Sequence, residues 1–507
     1  MAPTKAGGTL GARCALRYDS SVPTYHVENF GCRATQADGA ELERQFESRG
    51  LAQSSASQAD LVILNTCTVT NSADQDARAA IRRVQRQNPL AKIIVTGCYA
   101  QRAPEEIAAL PGVTAVIGNS HKHQLAEIVI TNVGRPPASQ AERIAFVPLA
   151  SLGTPTRHLS GDAPIFISDI FAHTELLAAP VFESTTRESD RTRPNLKVQD
   201  GCDNRCSFCI IPSVRGHSRS LPLPQVIREM NALVAAGYRE VVISGINLGR
   251  WGRDLDPGSQ LSAVSGNCGL DFEHLLQAIL SETSLEKLRI SSVEPMDWSD
   301  ELIELVASSP RIAKHAHVPL QSGSDAVLRR MHRKYRPWHY REKIEKIRAA
   351  MPTAAIGADV MAGFPGESDA EFEATRRLIS DLPFTYLHVF TYSARPGTPA
   401  AAMPDQIPIH VARERNKILR NLAAEKKLAF MQSFVGRPLD AITLNVTHKN
   451  FDGEFTEALT DNYQKLYLKG HHEPNRWITA RVAGIQDGTF LAGTFPDDLP
   501  SSVSPMS

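Results

Sequence analysis

Between residues 22 and 135, three short apolar runs each end in a cysteine, and each is followed by a stretch with helical spacing. Tyr25–Phe30 leads into Gly31-Cys32, Leu61–Asn65 into Thr66-Cys67, and Ile93–Thr96 into Gly97-Cys98. The stretches that follow, Ala37–Ser48, Ser72–Gln87 and Pro104–Leu110, are closed by Gly50, Pro89 and Gly112, residue types that stop helices. Strand, turn and helix in repetition is the pattern of a parallel sheet with helices on its faces. Sites in such sheets form beyond the carboxyl ends of the strands, where all three cysteines fall. One buried Cys is often just a small apolar residue. Three in the same topological position predict a shared site, and three thiolates there suit an iron–sulfur cluster.

A second set is local. Cys202, Cys206 and Cys209 follow a strand-like run, Asn195–Gln199, as C-x3-C-x2-C flanked by Gly201 and Gly216. Zinc usually takes four protein ligands, commonly two C-x2-C pairs, and no fourth Cys or His stands at matching spacing. Three thiolates on a 4Fe–4S cube leave one iron open to a substrate or cofactor. Ligand type and spacing favour the cluster, with zinc as the alternative.

At 507 residues the chain exceeds one ordinary core, so several domains are expected. Its 42% hydrophobic and 22% charged residues are a soluble composition. No apolar run is long enough for a membrane span, and Met1–Ser21 lacks the apolar segment of a signal peptide. A cytoplasmic location follows, in which the eight cysteines are not expected to form disulfides. Lys plus Arg equals Asp plus Glu at 55 each, so any case for nucleic acid has to be local.

Strands and helices alternate again from residue 195. Helices Pro222–Ala236, Phe272–Ser281, Asp300–Ser308, Tyr340–Ala350 and Asp369–Ser380 are each followed by a strand: Glu240–Ser244, Leu285–Ser291, His315–Leu320, Ala355–Met361 and Tyr386–Tyr392. With the first strand this makes about six βα units, a partial barrel with its site at the carboxyl ends of the strands. Beyond Gly436, five short β-runs separated by Asp452-Gly453 and similar turns predict a small barrel of the oligonucleotide-binding kind. Residues 136–194 lack periodicity and read as a linker; its islands Ile165-Phe-Ile and Ile170-Phe171 could dock on a neighbour, and His158 and His173 read as surface residues. The expected α/β organisation is therefore a disordered tail (1–21), a parallel α/β domain (22–135), the linker (136–194), a (βα)6 barrel (195–430), a small β-barrel (431–495) and a second tail (496–507).

The C-x3-C-x2-C loop, with aromatic Phe208 before its last cysteine, resembles the signature of the radical S-adenosylmethionine (SAM) enzymes. Gly31-Cys32, Asn65-Thr66-Cys67-Thr68-Val69-Thr70 and Thr96-Gly97-Cys98-Tyr99-Ala100-Gln101 resemble the N-terminal domain of the methylthiotransferases within that superfamily. The Thr-Val-Thr after Cys67 looks like the branch acting on N6-threonylcarbamoyladenosine in tRNA, and Thr460-Asp-Asn-Tyr463 resembles the family's RNA-binding TRAM domain. One departure stands out: the family commonly has Asn three residues after the first cysteine, where this chain has Thr35.

The resemblance implies two 4Fe–4S clusters, one on Cys202, Cys206 and Cys209 that cleaves SAM to a deoxyadenosyl radical, and one on Cys32, Cys67 and Cys98 that serves sulfur transfer. It implies a methylthio group added to C2 of N6-threonylcarbamoyladenosine in the tRNA anticodon loop, with an electron donor and a sulfur source as further partners and no membrane. SAM contacts are expected from Phe208, Gly245, Asn247, Gln321, Ser322, Asp359 and Gly363, although glycines at such places can simply make βα turns. Arg215 and Arg219 past the cluster loop, and Arg330, Arg333 and Lys334 in a basic run, are candidate phosphate contacts; the alternative is a solvated charged face. Rival functions are methylthiolation of isopentenyladenosine or of a ribosomal protein, and a cluster-bearing RNA-binding module without turnover. Cys14 and Cys268 have no patterned partner and read as incidental.

Overall fold

The computed structural model describes residues 22–132, 163–177, 192–255, 270–450 and 453–493. The expectations for both tails, His158, Cys14 and Cys268 lie outside the described residues. The N-terminal unit runs β1 (Thr24–Asn29), α1 (Arg33–Glu47), β2 (Ala52–Gln53), β3 (Leu61–Thr66), α2 (Asn71–Gln87), β4 (Lys92–Gly97), α3 (Cys98–Arg102), α4 (Pro104–Ala108), β5 (Val113–Gly118), α5 (Leu125–Asn132) and β6 (Ile165–Phe166). Its strands pair in parallel in the order β2-β1-β3-β4-β5-β6. β3 is an unbroken apolar run because both its faces are covered: Ile63 packs with Leu42, Phe46 and Leu125, and Val62 and Leu64 with Ala77, Ile81 and Val84. The island Ile165–Phe166 does dock, as the sixth strand beside β5.

The central unit runs β7 (Asn195–Lys197), β8 (Gln199–Asp200), α6 (Ile211–Arg215), β9 (Arg219–Ser220), α7 (Leu223–Ala235), β10 (Glu240–Ser244), α8 (Phe272–Glu282), β11 (Lys287–Ile290), α9 (Asp300–Ser308), β12 (His315–His317), α10 (Asp325–Arg330), α11 (Pro337–Ala350), β13 (Ala355–Ala362), α12 (Asp369–Asp381) and β14 (Tyr386–Thr391). β7-β10-β11 and β12-β13-β14 are parallel triplets. Single bridges, Leu288 to Ile312 and Ser292 to His317, join them into an open six-stranded barrel. Val241, Ile243, Leu288, Ile290, Ala316, Ile356, Ala358 and Val360 pack into one apolar core with the surrounding helices. The N-terminal unit meets both edges of the opening. Asn195 Nδ2 on β7 donates to the Arg33 carbonyl at 3.3 Å, and beyond β14 Arg395 binds Asp74 and, at 2.6 Å, Asn71 Oδ1.

Helix α13 (Ile409–Gln432) leads to β15 (Pro438–Asn450), β16 (Gly453–Thr460), β17 (Lys465–Lys469), β18 (Trp477–Gln486) and β19 (Thr489–Ala492), which close into a barrel β15-β16-β17-β19-β18. The turn after β16 enters the amino-terminal mouth of the central barrel. Tyr463 there packs 4.6 Å from the His315 ring and under the Arg289 guanidinium, whose Nη1 donates to the Asp461 carbonyl at 3.1 Å. Among the described residues, no helix is long and apolar enough to cross a membrane.

Candidate active site

The C-x3-C-x2-C loop is held by backbone and by neighbours far away in the chain. Cys202 N donates to the Gly216 carbonyl, Cys209 N to the Cys206 carbonyl and Ser207 N to the Met331 carbonyl, each at 3.1 Å. Ser207 Oγ donates to the Arg330 carbonyl at 2.7 Å, and Phe208 packs against Val327, Met331, Phe364 and Ala400. Two side chains touch the thiols directly. Arg333 Nη1 donates to Cys206 Sγ at 3.2 Å, and Asn247 Nδ2 lies 3.6 Å from Cys202 Sγ. Burial, with the neighbouring Cys206 and Cys202, pushes the Cys209 thiol up to about 12.

Cys32 caps the start of α1, Cys67 follows β3 and Cys98 opens α3. Cys67 and Cys98 are buried and Cys32 is exposed. Burial and the nearby Cys98 and Cys32 push the Cys67 thiol up to about 12. Asn119 Nδ2 lies 3.5 Å from Cys98 Sγ and donates to the Val214 carbonyl at 2.7 Å. Thr35 is buried with Oγ1 3.6 Å from Cys32 Sγ, and its carbonyl accepts from Asn65 Nδ2 at 2.8 Å. Its hydroxyl thus stands beside the first cysteine of the triplet. The two triplets share a wall, because Cys98 packs on Ile210, which directly follows Cys209, and on Val214 of α6.

All six cysteines are free thiols. Among the described residues, no three His, Cys, Asp or Glu groups converge tightly enough to hold a single metal ion. A cube of iron and sulfide spreads its thiolates wider than one ion does, and an all-thiolate donor set is what it takes. Both triplets fit that group.

Behind the shared wall lies a buried charge network absent from the sequence reading. Lys122 Nζ donates to Asp38 Oδ2 at 3.0 Å, Lys197 Nζ binds Asp38 and, at 2.8 Å, Asp200, and Arg215 reaches Asp200 at 2.9 Å and Asp38 at 3.1 Å. Burial raises the Asp38 carboxyl, but Lys122, Lys197 and Arg215 outweigh it and hold it down to about 2. Arg215 carries its charge toward Cys98 and Cys32 as well. The available signal was a lysine inside the strand run Asn195–Gln199, where a charge needs a partner.

Several expected contacts are corrected by this packing. Arg215 is not a phosphate contact, because both its carboxylate partners are buried with it. Arg219 is buried and donates to the His173 carbonyl at 3.0 Å. Arg330 is taken by Glu371 at 2.9 Å, and Arg333 by Glu294 and Cys206. Lys334 alone of the five is exposed. His173 is half-buried and stacked on His123 at 5.1 Å rather than free on the surface.

Among the expected SAM contacts, Ser322 is fully buried and its Oγ faces Thr375 Oγ1 of α12 at 3.1 Å, so it ties a helix to the barrel. A Cβ on Gly363 would lie 2.4 Å from Ala412 Cβ, so that glycine makes room for α13. The space beside Gly245 is filled by Gln199, whose Oε1 accepts from Asn247 N at 2.7 Å. Asn247, half-exposed Gln321 and partly exposed Asp359 stand at the barrel mouth. Gln321 holds a left-handed backbone, φ +62, a conformation that costs a non-glycine residue about 1 kcal/mol or more and gathers at functional sites.

Residues 24–118 match a profile described as uncharacterized protein family UPF0004, and residues 196–379 match the radical SAM superfamily. The chain is 35% identical over 449 residues to the threonylcarbamoyladenosine tRNA methylthiotransferase MtaB of Bacillus subtilis, covering 88% of this chain and 90% of that one. It is 32% identical to the protein of the same name from Aquifex aeolicus, covering 90% and 99%. A tRNA-2-methylthio-N(6)-dimethylallyladenosine synthase of Novosphingobium aromaticivorans is also 32% identical, covering 83% and 87%. The solved radical SAM methyltransferase TsrM of Kitasatospora setae aligns at 16% identity and TM-score 0.49 over 75% of each chain, too distant to carry an argument. The chain belongs to the radical SAM methylthiotransferases.

Proposed function

We propose that the chain adds a methylthio group to C2 of N6-threonylcarbamoyladenosine in the anticodon loop of a cytoplasmic tRNA. The observation that carries this reading is the shared wall. Cys98 of one triplet packs on Ile210, the residue after Cys209 of the other, which suits a reaction that couples C–H activation to sulfur transfer. Four relatives matched over 449 to 463 residues carry the threonylcarbamoyladenosine name, which supports the substrate.

An aromatic C–H bond offers no acidic proton and no leaving group, so acid–base side chains do not suffice. When bound, SAM and a 4Fe–4S cluster on Cys202, Cys206 and Cys209 supply the radical chemistry, and a second cluster on Cys32, Cys67 and Cys98 supplies the place for sulfur. The chain's own residues prepare both places. Arg333 and Asn247 hold the first set of thiols in register, while Arg215, Asn119 and Thr35 surround the second. The carboxy-terminal barrel and exposed Lys334 offer RNA contacts, the phosphates positioning a single-stranded loop whose target base is splayed out. An electron donor and a sulfur source complete the turnover.

Nucleoside mass spectrometry of tRNA from cells lacking the gene tests the substrate. Loss of the methylthio form of threonylcarbamoyladenosine is expected. Loss from isopentenyladenosine instead would assign the chain to the sister activity. Anaerobic incubation of the reconstituted protein with SAM and a reductant should release deoxyadenosine, and none would form on a module without turnover.

A further inference from the structure

The lumen of the central barrel is polar where barrels are usually filled by branched aliphatics. The apolar residues of β12 and β13 pack toward the helices. This leaves His315, His317 and Asp359 on the other face, with Tyr386, His388 and Phe390 beside them on β14. The Tyr386 ring lies over Gly357, where a Cβ would come within 2.0 Å of it. Tyr386 OH is 2.7 Å from His315 Nε2, and the two rings stack at 5.9 Å. His317 Nδ1 lies 2.6 Å from Ser292 Oγ, and its Nε2 is 3.4 Å from Asp359 Oδ1. His388 is exposed into this space, and Phe390, two residues further along the same face, is 49% exposed.

The lumen also has a cation. Arg33 stands at the β7 edge of the barrel opening, where its carbonyl accepts from Asn195 Nδ2 at 3.3 Å, and its charge reaches His315, Tyr386 and His388. Among the described residues it makes no salt bridge. Arg289, at the bottom of the lumen, is by contrast neutralised by Glu240 at 2.7 Å. Arg33 directly follows Cys32, so this half-exposed charge stands between the lumen and the second cysteine triplet.

We propose that this lumen receives the amino-acid arm on N6 of the target adenosine, with Arg33 pairing its carboxylate, a reading that rests on threonylcarbamoyladenosine as substrate. His388, Asp359 and Tyr386 offer hydrogen-bond partners to the arm's hydroxyl and urea groups. Phe390 offers an exposed ring on which the adenine stacks. Burial, followed by His317 at His388 and by Arg289 and His317 at His315, with Arg33 behind them, lowers both rings below the ordinary histidine range, and a neutral ring both donates and accepts. An isopentenyl arm has nothing to give these groups and would leave them desolvated and unpaired.

The test uses the full-length protein and two anticodon stem-loop RNAs, one carrying N6-threonylcarbamoyladenosine and one carrying its methyl ester, which replaces the negative charge with a neutral group one methyl larger. The wild-type protein should bind the acid about tenfold or more tightly than the ester, as one charge-assisted pair is worth. Arg33→Gln should bring that ratio close to one, and Arg33→Lys should restore part of it. Equilibrium binding reads this without turnover, so iron lost at neighbouring Cys32 does not mask it. An unchanged acid-to-ester ratio in Arg33→Gln overturns the lumen assignment while leaving the substrate intact. If the wild type methylthiolates neither RNA but does modify an isopentenyladenosine stem-loop, the substrate itself is wrong.

Discussion

Arg333 donates from Nη1 to Cys206 Sγ at 3.2 Å while its other terminal nitrogen binds Glu294, and the residue is 7% exposed. A buried guanidinium aimed at a thiolate stabilises negative charge there, and hydrogen bonds to ligating sulfurs tune cluster potentials. Arg333→Ala should therefore lower the potential of the cluster on Cys202, Cys206 and Cys209. The shift should be on the order of 60 mV, the one-electron equivalent of one such bond. Arg333→Lys keeps the charge and should shift it less. An electron paramagnetic resonance titration of the reduced protein reads both, and equal potentials in all three proteins would remove Arg333 from this role.

The two triplets make separable predictions about iron. Cys67→Ala or Cys98→Ala should leave about four irons per chain where the intact protein carries about eight. Those variants should still release deoxyadenosine from SAM but form no methylthio product. Cys206→Ala should lose the other four and all deoxyadenosine formation. Anaerobic iron analysis beside chromatography of the nucleosides distinguishes the outcomes.

Both triplets were legible in the sequence because ligand spacing is local, or repeats at the same place in each βα unit. The alternation of strands and helices was legible for the same reason, down to β10 and α9, whose bounds coincide with the expected ones. What could not be read was which charges the fold buries. Arg215 looks like any surface cation beside a basic loop, yet its partner Asp38 lies 177 positions away. Gly363 and Ser322 show the same limit. A glycine or serine at a strand end is visible, but whether it faces a ligand or a helix depends on the packing of α12 and α13. Strand β5 was missed because its run Val113–Gly118 carries no cysteine to mark it.

The Asp38 network gives a pH dependence with a definite sign. Its carboxyl is held down to about 2 from an ordinary 3.8, so its contribution is full above about pH 4 and is lost as the pH falls toward 2. The size is on the order of 2 kcal/mol. Asp38→Asn should therefore be less stable than the wild type at pH 5, with the gap narrowing between pH 4 and 2. Denaturant midpoints over that range measure it; a gap constant with pH would mean Asp38 is not held ionised.

Removing a cation from the same network should cost more than removing Asp38's charge. Lys197 is fully buried and bridges Asp38 of the N-terminal unit to Asp200 of the barrel. In Lys197→Met two buried carboxylates share only Lys122 and Arg215, and breaking a buried pair from one side costs about 3–5 kcal/mol. Because the bridge spans the seam that brings Cys98 to Ile210, the loss should fall on the packing of the two units. Amide exchange should rise first in α1 and α6, ahead of the carboxy-terminal barrel, and the melting temperature should drop. Equal exchange in all three units would show that the network stabilises the whole chain rather than this seam.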